Sequence, residues 1–375
     1  MTKQRLEMRL GGLFTQGVAG LVLPACAITL ALVTGGVVIK LMGVDPVNAY
    51  RSLFVGSLGS VNGWAETLIK VAPLILTGLS FAMAFRSGLI NIGAEGQLFI
   101  GGLSAVLAGI HFAGLPAFVH LPLALFAGFV GGGLWGLLAG WMKVRFGANE
   151  IITTVMLNYL AGHCLSFLVT GPLKEPGGVF PQTAAIAATA QLPRLLAGTR
   201  LHAGLLVALA ALACCYVFLW HTPWGFSLRL VGLNSQAARY AGVRPESSVL
   251  LAMFLAGGLA GLAGAGEILG VQTRLLADFS PGYGYDGLAV GLLGANGPLG
   301  IILAAFLFAV LRSGGYMMQM FSGVPVTLVS VVQGLVILFV VAGNGLRVLP
   351  LAQWRGNRPT RKGVSGSTIG EGVVK

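Results

Sequence analysis

The run Phe85-Arg86-Ser87-Gly88-Leu89-Ile90-Asn91-Ile92-Gly93-Ala94-Glu95-Gly96-Gln97 places Arg, Asn, Glu and Gln within twelve residues, between two apolar stretches that are each long enough to approach the span of a bilayer. Its three glycines, Gly88, Gly93 and Gly96, allow an irregular backbone. Such backbone survives at membrane depth only where protein or a watery cavity shields it, and an acidic side chain there is a functional candidate by default. Asn91, Glu95 and Gln97 are therefore expected to line or shape a polar pathway, with Phe99, Asn158 and Tyr159 on neighbouring segments as further candidates. Glu95 has a second reading of equal standing: it opens an apolar run, and a carboxylate at a helix start is stabilised by the helix dipole.

A second constellation is Leu230-Val231-Gly232-Leu233-Asn234-Ser235-Gln236-Ala237-Ala238-Arg239-Tyr240-Ala241-Gly242-Val243. Asn234 or Ser235 can cap a helix and Gly242 can end it. The resulting helix of about two turns is too short to be stable alone in water, so it either docks into a partner or lies against the protein's own surface. Catalytic sets are missing from the sequence: there is no GxxxxGK[ST], HExxH or GxSxG, and no metal-ligand spacing. The five histidines are scattered; His163, with Asn158 and Tyr159 near it in sequence, reads as a hydrogen-bonded core residue. No cofactor, metal or nucleic-acid partner is expected.

The elements that must position these residues follow from composition. Of 375 residues, 56% are hydrophobic and 9% charged, where a soluble domain has about 25% charged. So few charges cannot cover a water-soluble fold, which excludes a soluble enzyme, a disordered chain and a nucleic-acid-binding domain despite the net charge of +12. The expected fold is all-α and polytopic, with about ten membrane segments: 18–42, 64–85, 95–111, 116–142, 150–170, 201–220, 248–270, 285–295, 298–318 and 324–342. The short segment 285–295 is separated from the next by the turn signal Asn296-Gly297-Pro298. With the N-terminus inside, fifteen basic residues fall on inner segments and five on outer loops, as the positive-inside rule requires. Leu23-Pro24-Ala25-Cys26 loosely resembles a lipoprotein cleavage box, but the apolar run continues to Met42, which reads as an uncleaved first span. Gly128, Gly132, Gly136 and Gly140 recur every four residues and form a groove for a neighbouring backbone, and Gly257, Gly261 and Ala265 do the same.

The run FRSGLINIGAEGQ resembles the permease subunits of bacterial ABC importers of the ribose and branched-chain amino acid group. GANEIITTVMLNYLA at 147–161, GPLKEPGG at 171–178, LVGLNSQAARYAGV at 230–243 and GYGYDGLAVGLLGANGPLG at 282–300 resemble its nucleoside branch. By the apolar runs and the charge placement, the permease domain is 18–342 between cytoplasmic termini at 1–17 and 343–375, the latter a basic tail whose Gly, Ser and charge content predicts disorder. The resemblance runs from about residue 60 to 342 and implies a permease in the bacterial plasma (inner) membrane. It implies a periplasmic loop at 171–200 and a cytoplasmic coupling loop at 221–247. It further implies a separate ATPase subunit that binds the ATP, a second permease subunit in a heterodimer, and an extracytoplasmic substrate-binding protein. Gly232, Asn234, Ala237, Ala238, Arg239 and Gly242 match the segment that couples to the ATPase, with the small Ala237 and Ala238 expected to enter a groove of the partner. The alternative class is an ion-coupled secondary transporter or channel, with Glu66, Lys70, Glu267 and Arg312 as its titratable candidates.

Overall fold

A computed structural model describes residues 25–348. The expected N-terminal segment 1–17, the start of the first span and the tail beyond 348 lie outside the described residues. Among those described, the chain is helical without a strand. In order, the helices are α1 (Ala25–Leu41), α2 (Pro46–Leu58), α3 (Val61–Arg86), α4 (Ala94–His111), α5 (Ala117–Phe146), α6 (Glu150–Thr170), α7 (Gly204–His221), α8 (Pro223–Leu233), α9 (Ser235–Tyr240), α10 (Pro245–Glu267), α11 (Tyr283–Leu293), α12 (Pro298–Ser322) and α13 (Thr327–Val348). Six are long and apolar enough to cross a membrane, and the bent pair α1–α2 makes a seventh if it counts as one span. α4, α11 and α13 fall outside that number: α11 has 11 residues, about 16 Å at 1.5 Å per residue, and the apolar part of α13 is Thr327–Val340.

Helix α2 departs from the sequence reading, which gives its residues to an outer loop. Asp45 caps it by accepting from Val47 N at 3.1 Å, Pro46 fills the first helical position, and the axis turns 120° from α1. Asp-Pro is an N-terminal signal, but it begins a helix too short to read as a span. α2 instead lies on α12, where Ser322 and Ser52 hydroxyls meet at 3.3 Å. The histidine reading also needs correction. His163 is exposed and makes no hydrogen bond among the described residues. Two others are buried: His120, whose ring nitrogens meet Thr189 Oγ1 at 2.7 Å and the Ala108 carbonyl at 3.1 Å, and His202, whose Nδ1 accepts from Gly204 N at 3.1 Å.

The bundle has two distinct ends. Arg86, Lys143, Arg229 and Arg239 mark the basic end, where α3, α5 and α7 finish and α8–α9 form a hairpin. The segment 171–203 covers the other end, held to α4 by Ala187 N donating to Gly109 O at 3.0 Å. Between them the core is built on α10, which packs against α5, α4 and α3. Gly128 and Gly132 of α5 face Gly257 and Gly261 of α10, and Gly101 of α4 closes on Gly261. A Cβ added at Gly132 would lie 2.5 Å from the Gly257 oxygen and 2.6 Å from Gly261 Cα. Gly136 meets the Met253 carbonyl in the same way, whereas the nearest atoms to Gly140 belong to the Met253 side chain, at 3.0 and 3.2 Å. No side chain can fit where backbone meets backbone, which is why glycine recurs on both helices.

Gly132→Leu should lower the thermal midpoint in detergent sharply, or prevent accumulation, because overpacking typically costs about 1–3 kcal/mol and here no side chain can give way. Gly266→Ala, where an added Cβ meets nothing within 4 Å, should unfold like the parent. Equal midpoints for the two variants would show that the α5–α10 crossing does not hold the fold.

Candidate functional site

The core contains a broken helix. α10 ends in a single π-type turn, Ile268–Gln272, and stops at Thr273, which adopts φ +57°. Residues 274–282 are irregular, and the chain resumes as α11 before turning at Gly294–Gly297 into α12. A helix that begins inside apolar surroundings has backbone N–H groups without partners. Two oxygens meet this need. Ser280 Oγ accepts from Gly282 N and Tyr283 N at 3.3 Å each, and Glu95 Oε2 accepts from Gly284 N at 2.6 Å. Glu95 stands in the first turn of α4, so one carboxylate serves the positive ends of two helices. Gly284 lets them approach, since a Cβ there would lie 2.2 Å from Glu95 N.

An ion pair ties the broken helix to its neighbour. Arg312 of α12 lies 2.9 Å from Asp286, donates to the Pro281 carbonyl at 2.8 Å, and has its guanidinium 5.0 Å from the Tyr283 ring centre. Sequence reasoning gives Arg312 only as an ion-coupling candidate, places Gly284, Tyr285 and Asp286 in the motif at 282–300 without a role, and does not single out Ser280. The available signal was an aspartate inside an apolar run, which is costly unless paired.

The expected pathway residues divide into two groups. Asn91, Gln97, Glu95 and Asn158 are buried and come together. Asn91 Nδ2 donates to Gln97 Oε1 at 3.0 Å, Gln97 Nε2 donates to Asn91 Oδ1 at 3.2 Å, and Gly93 N donates to Asn91 Oδ1 at 2.9 Å. Asn158 of α6 accepts from Gly96 N at 2.8 Å, donates to the Ile92 carbonyl at 2.9 Å and reaches the Tyr285 hydroxyl at 3.4 Å. These side chains bond to one another and to the irregular backbone. Phe99 is half-buried against Phe279, ring centres 5.6 Å apart. Tyr159 does not join the network and is 61% exposed; Tyr285 is exposed beside Asn158.

At the basic end, Asn234 caps α9 by accepting from Gln236 N and Ala237 N at 3.0 Å each, and Gly242, at φ +82°, reverses the chain after it. Arg239 pairs with Glu246. Ala237, Arg239 and Tyr240 are exposed, Tyr240 at 94%. Ala238 is placed differently from its expected role. It is 0% exposed and faces the chain's own interior, because α9 needs one small residue where it rests on the bundle. Gly232 carries the contact between this hairpin and the polar run: a Cβ there would lie 2.3 Å from the Arg86 carbonyl and 2.9 Å from Gly88 N. Trp220 stands beside that contact, 4.2 Å from the Arg229 guanidinium and 5.4 Å from that of Arg86. Among the described residues no three His, Cys, Asp or Glu side chains converge as metal ligands would.

A multi-pass helical membrane protein with a polar shell around a broken helix is the class that this geometry defines. The chain belongs to the family described as branched-chain amino acid transport system / permease component, whose pattern matches residues 63–341, from α3 into α13. It is 40% identical to a glucose ABC transporter permease protein of Haloferax volcanii, over 86% of this chain and 87% of that one. It is 38% identical to a guanosine ABC transporter permease protein of Bacillus subtilis, over 87% and 94%. A second guanosine permease protein of the same Bacillus is 28% identical, over 69% and 84%. The chain is thus a permease subunit of an ABC importer, and the ion-coupled alternative falls away.

Removing one partner of a buried ion pair typically costs about 3–5 kcal/mol. Arg312→Met and Asp286→Asn should each lower the thermal midpoint in detergent, and the double variant should recover much of the loss. Strictly additive losses would show that the two side chains do not act as a pair.

Proposed function

We propose that this chain carries nucleosides across the plasma membrane of a bacterium as one of two non-identical permease subunits, powered by a separate ATPase subunit at its basic end. A substrate-binding protein delivers the solute at the opposite end. Ten membrane segments, α1, α3 to α7 and α10 to α13, leave both termini cytoplasmic; α11 is the short one. The observation that carries this reading is the backbone contact of Gly232 with Arg86 and Gly88. It joins an exposed hairpin, suited to docking, to the polar run that holds α11. Movement of the hairpin by an ATPase then shifts residues 86–93, and with them the Asn91–Gln97 pair and the Glu95 hold on α11. The guanosine permease relative and the exposed Tyr285 and Tyr159 faces support a solute with a base to stack and a ribose to hydrogen-bond. Two different guanosine permease proteins in one organism support a heterodimer. A hexose is the second reading, favoured by the 40% identity to the Haloferax glucose permease.

The test is ATP-dependent uptake into liposomes holding both permeases and the ATPase, with the binding protein added outside and guanosine, other nucleosides, ribose and glucose compared. Saturable nucleoside uptake is expected. Glucose uptake without nucleoside uptake would establish the hexose reading, and uptake that ignores ATP would refute both.

Docking is tested at Tyr240, whose exposure frees it from any role in the fold. Tyr240→Asp should leave membrane yield and thermal midpoint unchanged while the ATPase subunit no longer co-purifies. An unpaired charge buried in an interface costs several kcal/mol, and each 1.4 kcal/mol is a factor of about ten in affinity. Normal co-purification and transport would exclude α9 as the docking element.

A further inference from the structure

Two arginines at the basic end share one aromatic ring. Arg229 of α8 holds its guanidinium 4.2 Å from the Trp220 ring centre, and Arg86, at the end of α3, holds its own 5.4 Å from it. Neither has an acidic partner among the described residues. Arg86 donates from one nitrogen to the Asn296 carbonyl at 3.1 Å, and Arg229 Nε is buried without a hydrogen-bond partner. The ring face attracts each cation but neutralises neither. Two like charges held around one ring disfavour each other, and an anion between them relieves that cost.

An apolar groove of 470 Å³ opens between α3, α5, α7 and α10. Met83 of α3, Phe129 of α5, Val207, Ala211 and Phe218 of α7 and Leu259 of α10 line it. One end of the groove adjoins the arginines on two helices at once. Arg86 stands one turn beyond Met83 on α3, and Trp220 stands two residues beyond Phe218 on α7. From there the groove follows α7 back to Val207, about 16 Å at 1.5 Å per residue. Its volume over that length gives a mean width of about 6 Å, whereas a helix with its side chains is about 10 Å across. The groove is therefore too narrow for a helix of a second permease. A single hydrocarbon chain fits it, since carbons pack about 4 Å from their neighbours.

We infer that this is a binding site for an anionic phospholipid from the leaflet at the basic end, its phosphate held by Arg86 and Arg229 and one acyl chain laid in the groove. Such a lipid is charged at one end and apolar along the rest, in the order in which the arginines and the groove occur. A basic pocket between helices at the membrane boundary is a form that recognises lipid headgroups, and tryptophan is favoured at that depth. A water-soluble ATPase cannot fill a groove that runs along membrane-spanning helices. The site adjoins the contact of Gly232 with the Arg86 carbonyl. The inference goes beyond the importer reading and needs only that the chain spans a membrane.

The test is native mass spectrometry of the complete transporter, delipidated and then given equal amounts of phosphatidylglycerol and phosphatidylcholine with the same acyl chains. A basic residue near the surface favours an anionic lipid about fivefold, so two should make wild type prefer phosphatidylglycerol about thirtyfold. Arg229→Gln should cut that preference about fivefold and leave phosphatidylcholine retention unchanged. Ala211→Trp, which fills the groove and leaves both arginines in place, should release both lipids. Cys214 is exposed and lines the groove, so a photo-crosslinking amino acid at that position should capture phospholipid in native membranes. Equal retention of the two lipids by wild type, or an unchanged preference in Arg229→Gln, overturns the inference. Displacement of phosphatidylglycerol by an equal concentration of glycerol phosphate overturns it in favour of a free-anion site. Capture of the second permease or the ATPase at position 214 overturns it in favour of a protein interface.

Discussion

A helix that begins inside an apolar bundle must find acceptors for N–H groups that water cannot reach, and the Glu95 carboxylate meets that demand for α11. The arrangement around it follows from this one constraint. Glu95 can serve α11 only if α4 starts beside it, and α4 starts there only if the chain from Arg86 to Gly93 leaves α3 along one path. Asn91 and Gln97 hold that path through their reciprocal bonds, and Asn158 pins it from α6. Arg312 then secures the lead-in to α11 by binding the Pro281 carbonyl and Asp286 together. The buried Asn91, Gln97 and Asn158 of this shell are stable because each finds hydrogen-bond partners, and an incomplete network would be worse than an apolar one.

Both ends of the bundle lead to this element by backbone contact. From the basic end the route is Gly232 against Arg86 and Gly88. From the other end it is the bonds of 183–192 to 269–275, followed by the irregular stretch into α11. Backbone joins of this kind transmit displacement more faithfully than flexible side chains, since packed interiors yield little. A short helix held by electrostatic bonds at its start and free of a continuous hydrogen-bonded ladder to α10 is the natural place for such displacement to appear.

The membrane class, the broken stretch before α12 and the capped helix at 234–242 were legible because apolar length, Asn-Gly-Pro and Asn…Gly are local signals. Legibility failed where an outcome depended on pairing across the fold. Asn91 and Gln97 are expected to line or shape a polar pathway, but that each bonds to the other has no local signal in the sequence. Ala238 read as a docking residue because it is small, and small size suits an inward face equally well. Asp286 and Arg312 are 26 positions apart on different helices, and no spacing rule joins them. Helix α2 was hidden because its 13 residues fall below the length that marks a span.

The crossing of α5 and α10 has a consequence for how this chain can vary. Every amino-acid replacement reachable by one base change from a glycine codon adds at least a Cβ. At Gly132 the atoms in the way are the oxygen of Gly257 and the Cα of Gly261, which no second substitution can remove. A side-chain clash can be relieved by trimming the neighbour, but a backbone clash has no complementary mutation. Drift along this lineage is therefore shut out of the crossing one codon at a time. Sequence change must accumulate on the outward faces of the same helices, where Phe126, Leu134 and Trp141 are exposed.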